Sequence, residues 1–306
     1  MGDLRKIIVI AVLGAMAVLA GCAQMDHKSE KDDKITAVAS FYAMYEFARQ
    51  IAQDKADVEL LVPANISPHD WDPAPKDIKA VQEADLFIYS SEHFETWVAH
   101  LKKSLQNHDV RFIHASEGIA LSERNEAHGN DGQKYDPHVW LSPVLAQKQV
   151  ENIAEAFMKR DPENEKFYAA QRDELIEQLQ QLDEEYAIAF RDVKKRTFIT
   201  QHAAFGYLAK EYDLVEVPIA GLSPSLEPSA AQLRELKEFA KENEISTIFY
   251  ETLSNPKTAQ TLANELDADV EVLSTLEGLT KEEQEKNLTY MDMMRRNLNT
   301  LSKSLK

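Results

Sequence analysis

The chain has 306 residues and carries 34 Lys and Arg side chains against 52 Asp and Glu, which gives a formal net charge of −18 at pH 7. This acidic excess argues against nucleic acid as a partner, because phosphate binding requires a surplus of basic side chains. It also argues against attachment to anionic lipid through charge, so membrane association would need a covalent anchor.

The first residues have the features of a secretory signal. Two basic residues precede an apolar run over residues 7–20, which is too short to cross a bilayer as a helix of about 20 residues. The run ends in Leu-Ala-Gly-Cys22, which resembles the lipobox of bacterial lipoproteins, and the chain has no other cysteine. We therefore expect residues 1–21 to be a signal peptide, Cys22 to be lipidated, and residues 22–34 to form a tether on the extracytoplasmic face of the membrane.

From residue 35 onwards, short β-branched runs alternate with helical patterns. The predicted strands are Ile35–Ser40, Val58–Val62, Leu86–Tyr89, Val110–Ala115, Thr197–Thr200, Val215–Ile219, Thr247–Tyr250 and Val270–Leu273. The predicted helices lie at about 42–53, 75–84, 94–106, 203–212, 229–243, 256–266 and 281–302. This alternation predicts an α/β fold with two mostly parallel four-stranded sheets flanked by helices.

Local capping signals support several helix starts. Ser142, Asn255 and Asp161 each precede a proline, which is favoured in the first turn of a helix. Thr280 and Glu283 have the spacing of a capping box.

One long helical pattern separates the two series of strands. Residues 162–194 contain no glycine and are rich in good helix formers, which predicts a single helix about 50 Å long. A helix of this length can connect two lobes. We therefore predict an N-terminal α/β lobe over 35–160, a rigid linking helix over 161–195 and a C-terminal α/β lobe over 196–306.

Three of the nine histidines follow predicted strands. His69 comes after the second strand, His138 comes after the polar loop 120–136 that leaves the fourth, and His202 comes directly after the fifth. Because ligands of open α/β sheets bind beyond the carboxyl ends of strands, these side chains are candidates for one shared site.

A fourth group is expected from the second lobe. Glu277 follows the eighth strand and fits this role, with Glu251 at the end of the seventh strand as its main competitor. Asp136 is a candidate to orient His138, or alternatively to cap a turn. For Trp71 and Trp140, structural packing is favoured over a place in the cleft lining.

At these residues the chain resembles a known family, the zinc-type solute-binding lipoproteins of ABC importers. The resemblance covers essentially the whole mature chain. It rests on five motifs in this order, which are Pro-His69-Asp-Trp-Asp-Pro, Asp-Pro-His138-Val-Trp-Leu-Ser-Pro, Gln-His202-Ala-Ala-Phe-Gly-Tyr-Leu, Gly-Leu-Ser-Pro-Ser-Leu-Glu-Pro-Ser and Leu-Glu277-Gly-Leu.

The resemblance implies His69, His138, His202 and Glu277 as the metal ligands, two lobes joined by a rigid helix, and delivery of Zn²⁺ to an ABC permease with its ATPase. Many zinc members have a histidine-rich insert at the 120–136 loop, whereas this chain has only His128 there. A role for that loop in gathering metal is therefore not expected.

Three imidazoles and one carboxylate suit tetrahedral Zn²⁺, and the third histidine argues against Mn²⁺. The predicted protein is a monomer. It is not expected to be an enzyme, since four ligands leave no open position on the metal for a catalytic water. Two alternatives stay open, which are a manganese- or iron-binding protein of the same class and a surface adhesin.

Overall fold

The computed structural model describes residues 34–123, 134–222 and 228–306. The predictions for the signal peptide, for Cys22 and for the tether up to residue 33 lie outside these residues. The same holds for His128 in the loop over 120–136.

The first lobe is built on a parallel four-stranded sheet, as predicted. Its strands are β1 (Ile35–Ala39), β2 (Ala56–Leu60), β3 (Leu86–Tyr89) and β4 (Arg111–His114), in the order β2-β1-β3-β4. Helices α1 (Tyr42–Ala52), α2 (Pro75–Glu83) and α3 (Val98–Ser104) connect them. Successive residues point to opposite faces, so Ile88 enters a central core while Phe87 enters an outer cluster.

A pair of helices follows the first sheet. Helix α4 (Pro143–Arg160) begins at Ser142, whose hydroxyl accepts the N–H of Leu145, and a 3₁₀ turn at Pro162–Asn164 leads into α5 (Glu165–Phe190). The prediction of one helix over 162–194 was too long at both ends, because the chain enters through this turn and the helix ends at Phe190. Helix α5 has 26 residues, which corresponds to about 39 Å. Within the described ranges, no helix has both the length and the apolar character that crossing a membrane requires.

The second lobe repeats the architecture of the first. Strands β5 (Thr197–Thr200), β6 (Val215–Pro218), β7 (Thr247–Tyr250) and β8 (Asp269–Val272) are parallel, in the order β6-β5-β7-β8. The helices between them are α6 (Gly206–Glu211), α7 (Ala230–Glu242) and α8 (Lys257–Leu266).

The C-terminal segment forms two helices, α9 (Lys281–Glu285) and α10 (Tyr290–Ser304). The prediction of a single helix over 281–302 was therefore wrong. The break occurs because Asn287 adopts a left-handed conformation with φ +49°, and Thr289 then starts a new helix through a capping box with Asp292. The capping box predicted at Thr280 is confirmed, and it starts α9.

One apolar core extends through both lobes. It combines the inner faces of both sheets, represented by Ile88 and Phe249, with Leu179 of α5 and Met294 of α10. Two smaller clusters cover the outer faces of the sheets. Because the core is continuous and closely packed, large hinge motions between the lobes would expose apolar surface to water.

Candidate metal centre

His69 lies on a 3₁₀ turn, Pro68–Asp70, in the connection between β2 and α2. The ring of Phe94 packs edge-on against the imidazole, with the centroids 4.8 Å apart. The side chain of His69 is only 3% exposed, and its Nε2 atom lies 3.2 Å from Oε1 of Glu277. The turn and the aromatic contact therefore hold the imidazole facing the second lobe.

His138 is oriented by the carboxylate of Asp136. Oδ1 of Asp136 accepts the backbone N–H of His138 at 2.9 Å and lies 2.9 Å from its Nδ1. Because a carboxylate only accepts hydrogen bonds, the proton of the neutral imidazole is held on Nδ1 and Nε2 keeps its lone pair. His138 is fully buried, and the predicted role of Asp136 in orienting it agrees with this contact.

His202 has the same arrangement in the second lobe. It follows β5 directly, and its Nδ1 forms a short hydrogen bond with Oε1 of Glu251 at the end of β7. Nε2 of His202 points the other way, towards His138, with 3.4 Å between the two Nε2 atoms. Glu251, the predicted competitor of Glu277, therefore contacts the opposite nitrogen of His202.

Glu277 comes from the second lobe but is held by the first. The backbone oxygen of Glu277 accepts the N–H of Tyr42 at 3.3 Å, and the oxygen of Ala64 accepts the N–H of Leu279 at 2.7 Å. Between these two bonds, a Cβ atom on Gly278 would lie 2.2 Å from the Ala64 oxygen. Leu276, just before Glu277, is buried in a left-handed conformation with φ +52°, which is strained for a residue with a branched side chain.

The four side chains converge on one point. Each offers one ligand atom, and these atoms all lie within 4.8 Å of one another. Nε2 of His138 lies 3.4 Å from Nε2 of His69, and Oε1 of Glu277 lies 3.8 Å from Nε2 of both His138 and His202. Ligand atoms at ~2.1 Å from a tetrahedral Zn²⁺ are separated by about 3.4 Å. The separations of 3.2 to 3.8 Å bracket this value, so modest side-chain adjustments bring the four atoms to tetrahedral coordination.

The charges of the site are distributed unevenly. Burial, together with the neighbouring His202 and His69, lowers the pKa of His138 well below its usual value. Burial also opposes the charge of His202, but the Glu251 carboxylate outweighs it and raises the pKa of His202 to about 9. Burial disfavours the carboxylate of Glu277, yet the three imidazoles overcome this effect and lower its pKa to about 2.

The two candidate tryptophans pack around the site, and the Trp140 ring contacts that of His138 with 5.2 Å between centroids. Trp71 packs against Trp97, with 5.2 Å between centroids. Trp140 is fully buried, and its indole N–H donates to the oxygen of Thr275 at 2.8 Å, so both tryptophans have the expected packing role. Among the described residues, no second group of three or more His, Cys, Asp or Glu side chains could hold a metal ion.

Sequence reasoning did not find the contact between His202 and Glu251. The contact depends on β5 and β7 being neighbouring strands. A prediction of this strand order from the sequence is what could have revealed it. Sequence reasoning also did not find the contact of Phe94 with His69, because no local pattern connects residues in separate segments.

Two α/β lobes with a buried three-histidine, one-carboxylate group between them define a two-lobed metal-binding protein. A family model described as "Zinc-uptake complex component A periplasmic" (ZnuA) matches residues 37–304, and the chain belongs to this family. The sequence-based resemblance is thereby confirmed.

Known relatives agree with this assignment. The chain is 48% identical over 305 residues to the high-affinity zinc uptake system protein ZnuA of Bacillus subtilis, with 96% of each chain covered. It is 38% identical to the zinc-binding lipoprotein AdcA of Streptococcus pneumoniae, covering 98% of this chain and 61% of AdcA, so it spans about three fifths of that relative. The crystal structure of the Zn(II)-bound ZnuA-like domain of S. pneumoniae AdcA has a TM-score of 0.78 and 40% identity, covering 89% of this chain and 99% of that domain.

Proposed function

We propose that this chain captures Zn²⁺ outside the cytoplasm and delivers it to the permease of an ABC importer, with His69, His138, His202 and Glu277 as the zinc ligands. The observation that carries the proposal is the convergence of three imidazole nitrogens and one carboxylate oxygen within 4.8 Å. The family comprises components of zinc uptake rather than enzymes.

The donor set favours zinc over manganese. Neutral imidazoles are borderline ligands that suit Zn²⁺, whereas Mn²⁺ prefers a larger number of oxygen ligands. Asp136 and Glu251 each contact the Nδ1 atom of one histidine. Such carboxylates fix the orientation of a ligand imidazole and increase its basicity. They also bring negative charge close to a buried divalent cation.

Zinc would be held between the lobes, with loops rather than whole lobes moving to release it. The continuous core supports this mode, because wide opening would expose its apolar side chains. We propose the boundaries 35–160 and 196–306 for the lobes and 161–195 for their link.

The protein would act at the outer face of the membrane. We propose cleavage after residue 21, lipidation of Cys22 and a tether over 22–34, with a monomeric protein docking on the permease. The importer's ATPase would supply the energy, since the chain contains no Walker A sequence. The manganese or iron alternative and the adhesin alternative stay predictions.

Competitive titration of the metal-free protein with Zn²⁺ and Mn²⁺ tests the proposal. We expect one tight zinc equivalent that excess manganese does not displace, and weaker binding after His202→Ala. His108→Ala is the matched control, because His108 is exposed and lies just beyond α3. Preference for manganese would overturn the choice of cargo, and equal zinc affinity of both variants would overturn the ligand set.

A further inference from the structure

Helix α6, which follows His202 in the second lobe, contacts the segment of the first lobe that carries His138. The hydroxyl of Tyr207 donates to the backbone oxygen of Asp136 at 2.7 Å and accepts the backbone N–H of Ser122 at 2.9 Å. The N–H of Asp136 also donates to the oxygen of Ser122 at 3.1 Å. A single hydroxyl from one lobe thus joins two backbone groups at the two ends of the 120–136 loop of the other.

The same contact reaches the metal centre through one intervening residue. The backbone oxygen of Asp136 accepts the hydrogen bond from the Tyr207 hydroxyl. The side-chain Oδ1 of Asp136 accepts from the backbone N–H and from Nδ1 of His138. The helix backbone also approaches Asp136 closely, since a Cβ atom on Gly206 would lie 2.9 Å from Oδ2 of Asp136. The position of His138 therefore depends on how α6 packs against Asp136.

We propose that Tyr207 is a positioning residue that fastens the second lobe to Asp136, and that this bond retains zinc in the closed protein. The inference rests on the proposed function. Separation of the lobes at this point has to break both hydrogen bonds of the hydroxyl, whereas metal entry into an already open site does not. Loss of the hydroxyl therefore accelerates zinc release more than it slows capture.

Tyr207→Phe removes the hydroxyl and keeps the ring. Tyr212→Phe is the matched control, because both tyrosines are 7% exposed and the Tyr212 hydroxyl donates to Asp183 at 2.9 Å on α5, within a different contact. We expect Tyr207→Phe to release zinc about tenfold faster, as befits two hydrogen bonds, and Tyr212→Phe to release it at the wild-type rate. The visible spectrum of the Co²⁺-loaded protein should change only in Tyr207→Phe, because only this variant removes a hydrogen bond to Asp136, the residue that orients His138.

A double-mutant cycle tests whether the backbone bond carries the effect. The Tyr207 hydroxyl binds the backbone oxygen of Asp136, which Asp136→Asn retains. Tyr207→Phe should therefore accelerate zinc release by about the same factor in the wild-type and Asp136→Asn backgrounds. If Tyr207→Phe proves unstable, Gly206→Ala is a second route. Its Cβ atom should push Asp136 away and so accelerate zinc release.

Equal release rates for Tyr207→Phe and Tyr212→Phe, or loss of the Tyr207→Phe effect in the Asp136→Asn background, would overturn this inference. A wild-type protein that binds no zinc would instead overturn the proposed function, so the two failures are distinguishable.

Discussion

Substitution of Gly278 by alanine should disable the metal centre without touching a ligand. The added Cβ atom would lie 2.2 Å from the oxygen of Ala64 and 2.8 Å from Cδ1 of Leu253, whereas carbon–oxygen contacts normally begin at about 3.3 Å. The segments that carry His69 and Glu277 must therefore separate by about 1 Å, while metal–ligand distances tolerate only about 0.2 Å.

We expect zinc affinity to fall by about 100-fold and the free energy of unfolding to fall by about 1–3 kcal/mol. Affinity would be measured by competition with a chromophoric chelator, and stability by urea unfolding of the metal-free protein. Gly118→Ala provides the control. Its φ of +82° disfavours alanine at a cost of about 1–2 kcal/mol, but the nearest atom would be Lys148 Cε at 3.8 Å, away from the site. The reasoning is refuted if both variants bind zinc with the same affinity.

Three further predictions concern the partners of the site. Because the pKa of His202 is raised to about 9, zinc binding at pH 7 should release about one proton, and Glu251→Gln should abolish this release in calorimetry across buffers of different ionisation enthalpy. The same raised pKa means that the His202–Glu251 pair stabilises the metal-free fold fully below about pH 6.5 and loses this effect as the pH rises through 9. Urea unfolding across this range should show the decline in wild type and a flatter profile in Glu251→Gln. Trp140→Phe leaves the oxygen of Thr275 without its indole donor, so the free energy of unfolding should fall by about 1–3 kcal/mol; an unchanged urea midpoint would contradict this.

The strands were predictable because their causes are local. Buried parallel strands need β-branched and aromatic runs, and those at Leu86–Tyr89, Thr197–Thr200 and Thr247–Tyr250 agree with the structure at both ends. The break between α9 and α10 was also readable, because Thr289 and Asp292 have capping-box spacing. It was missed because residues 281–287 contain no apolar side chain, so no change in apolar periodicity marked the break.

The metal centre was predictable in its residues but not in its support. His69, His138, His202 and Glu277 all follow strand ends, where the fold brings loops together, and the family motifs select the same four. By contrast, the contact between Gly278 and Ala64 joins residues more than 200 positions apart. Tyr207 and Asp136 likewise meet only in the folded chain. No periodicity or capping signal reports such approaches, because they depend on how the two lobes pack.

X-ray absorption spectroscopy of the zinc-loaded protein tests the central claim most directly. We expect one four-coordinate zinc with three imidazole nitrogens and one oxygen at ~2.0–2.1 Å, and two imidazoles after His202→Ala. A six-coordinate oxygen-rich shell, or three imidazoles still present in His202→Ala, would contradict the assignment of these four residues as the zinc site.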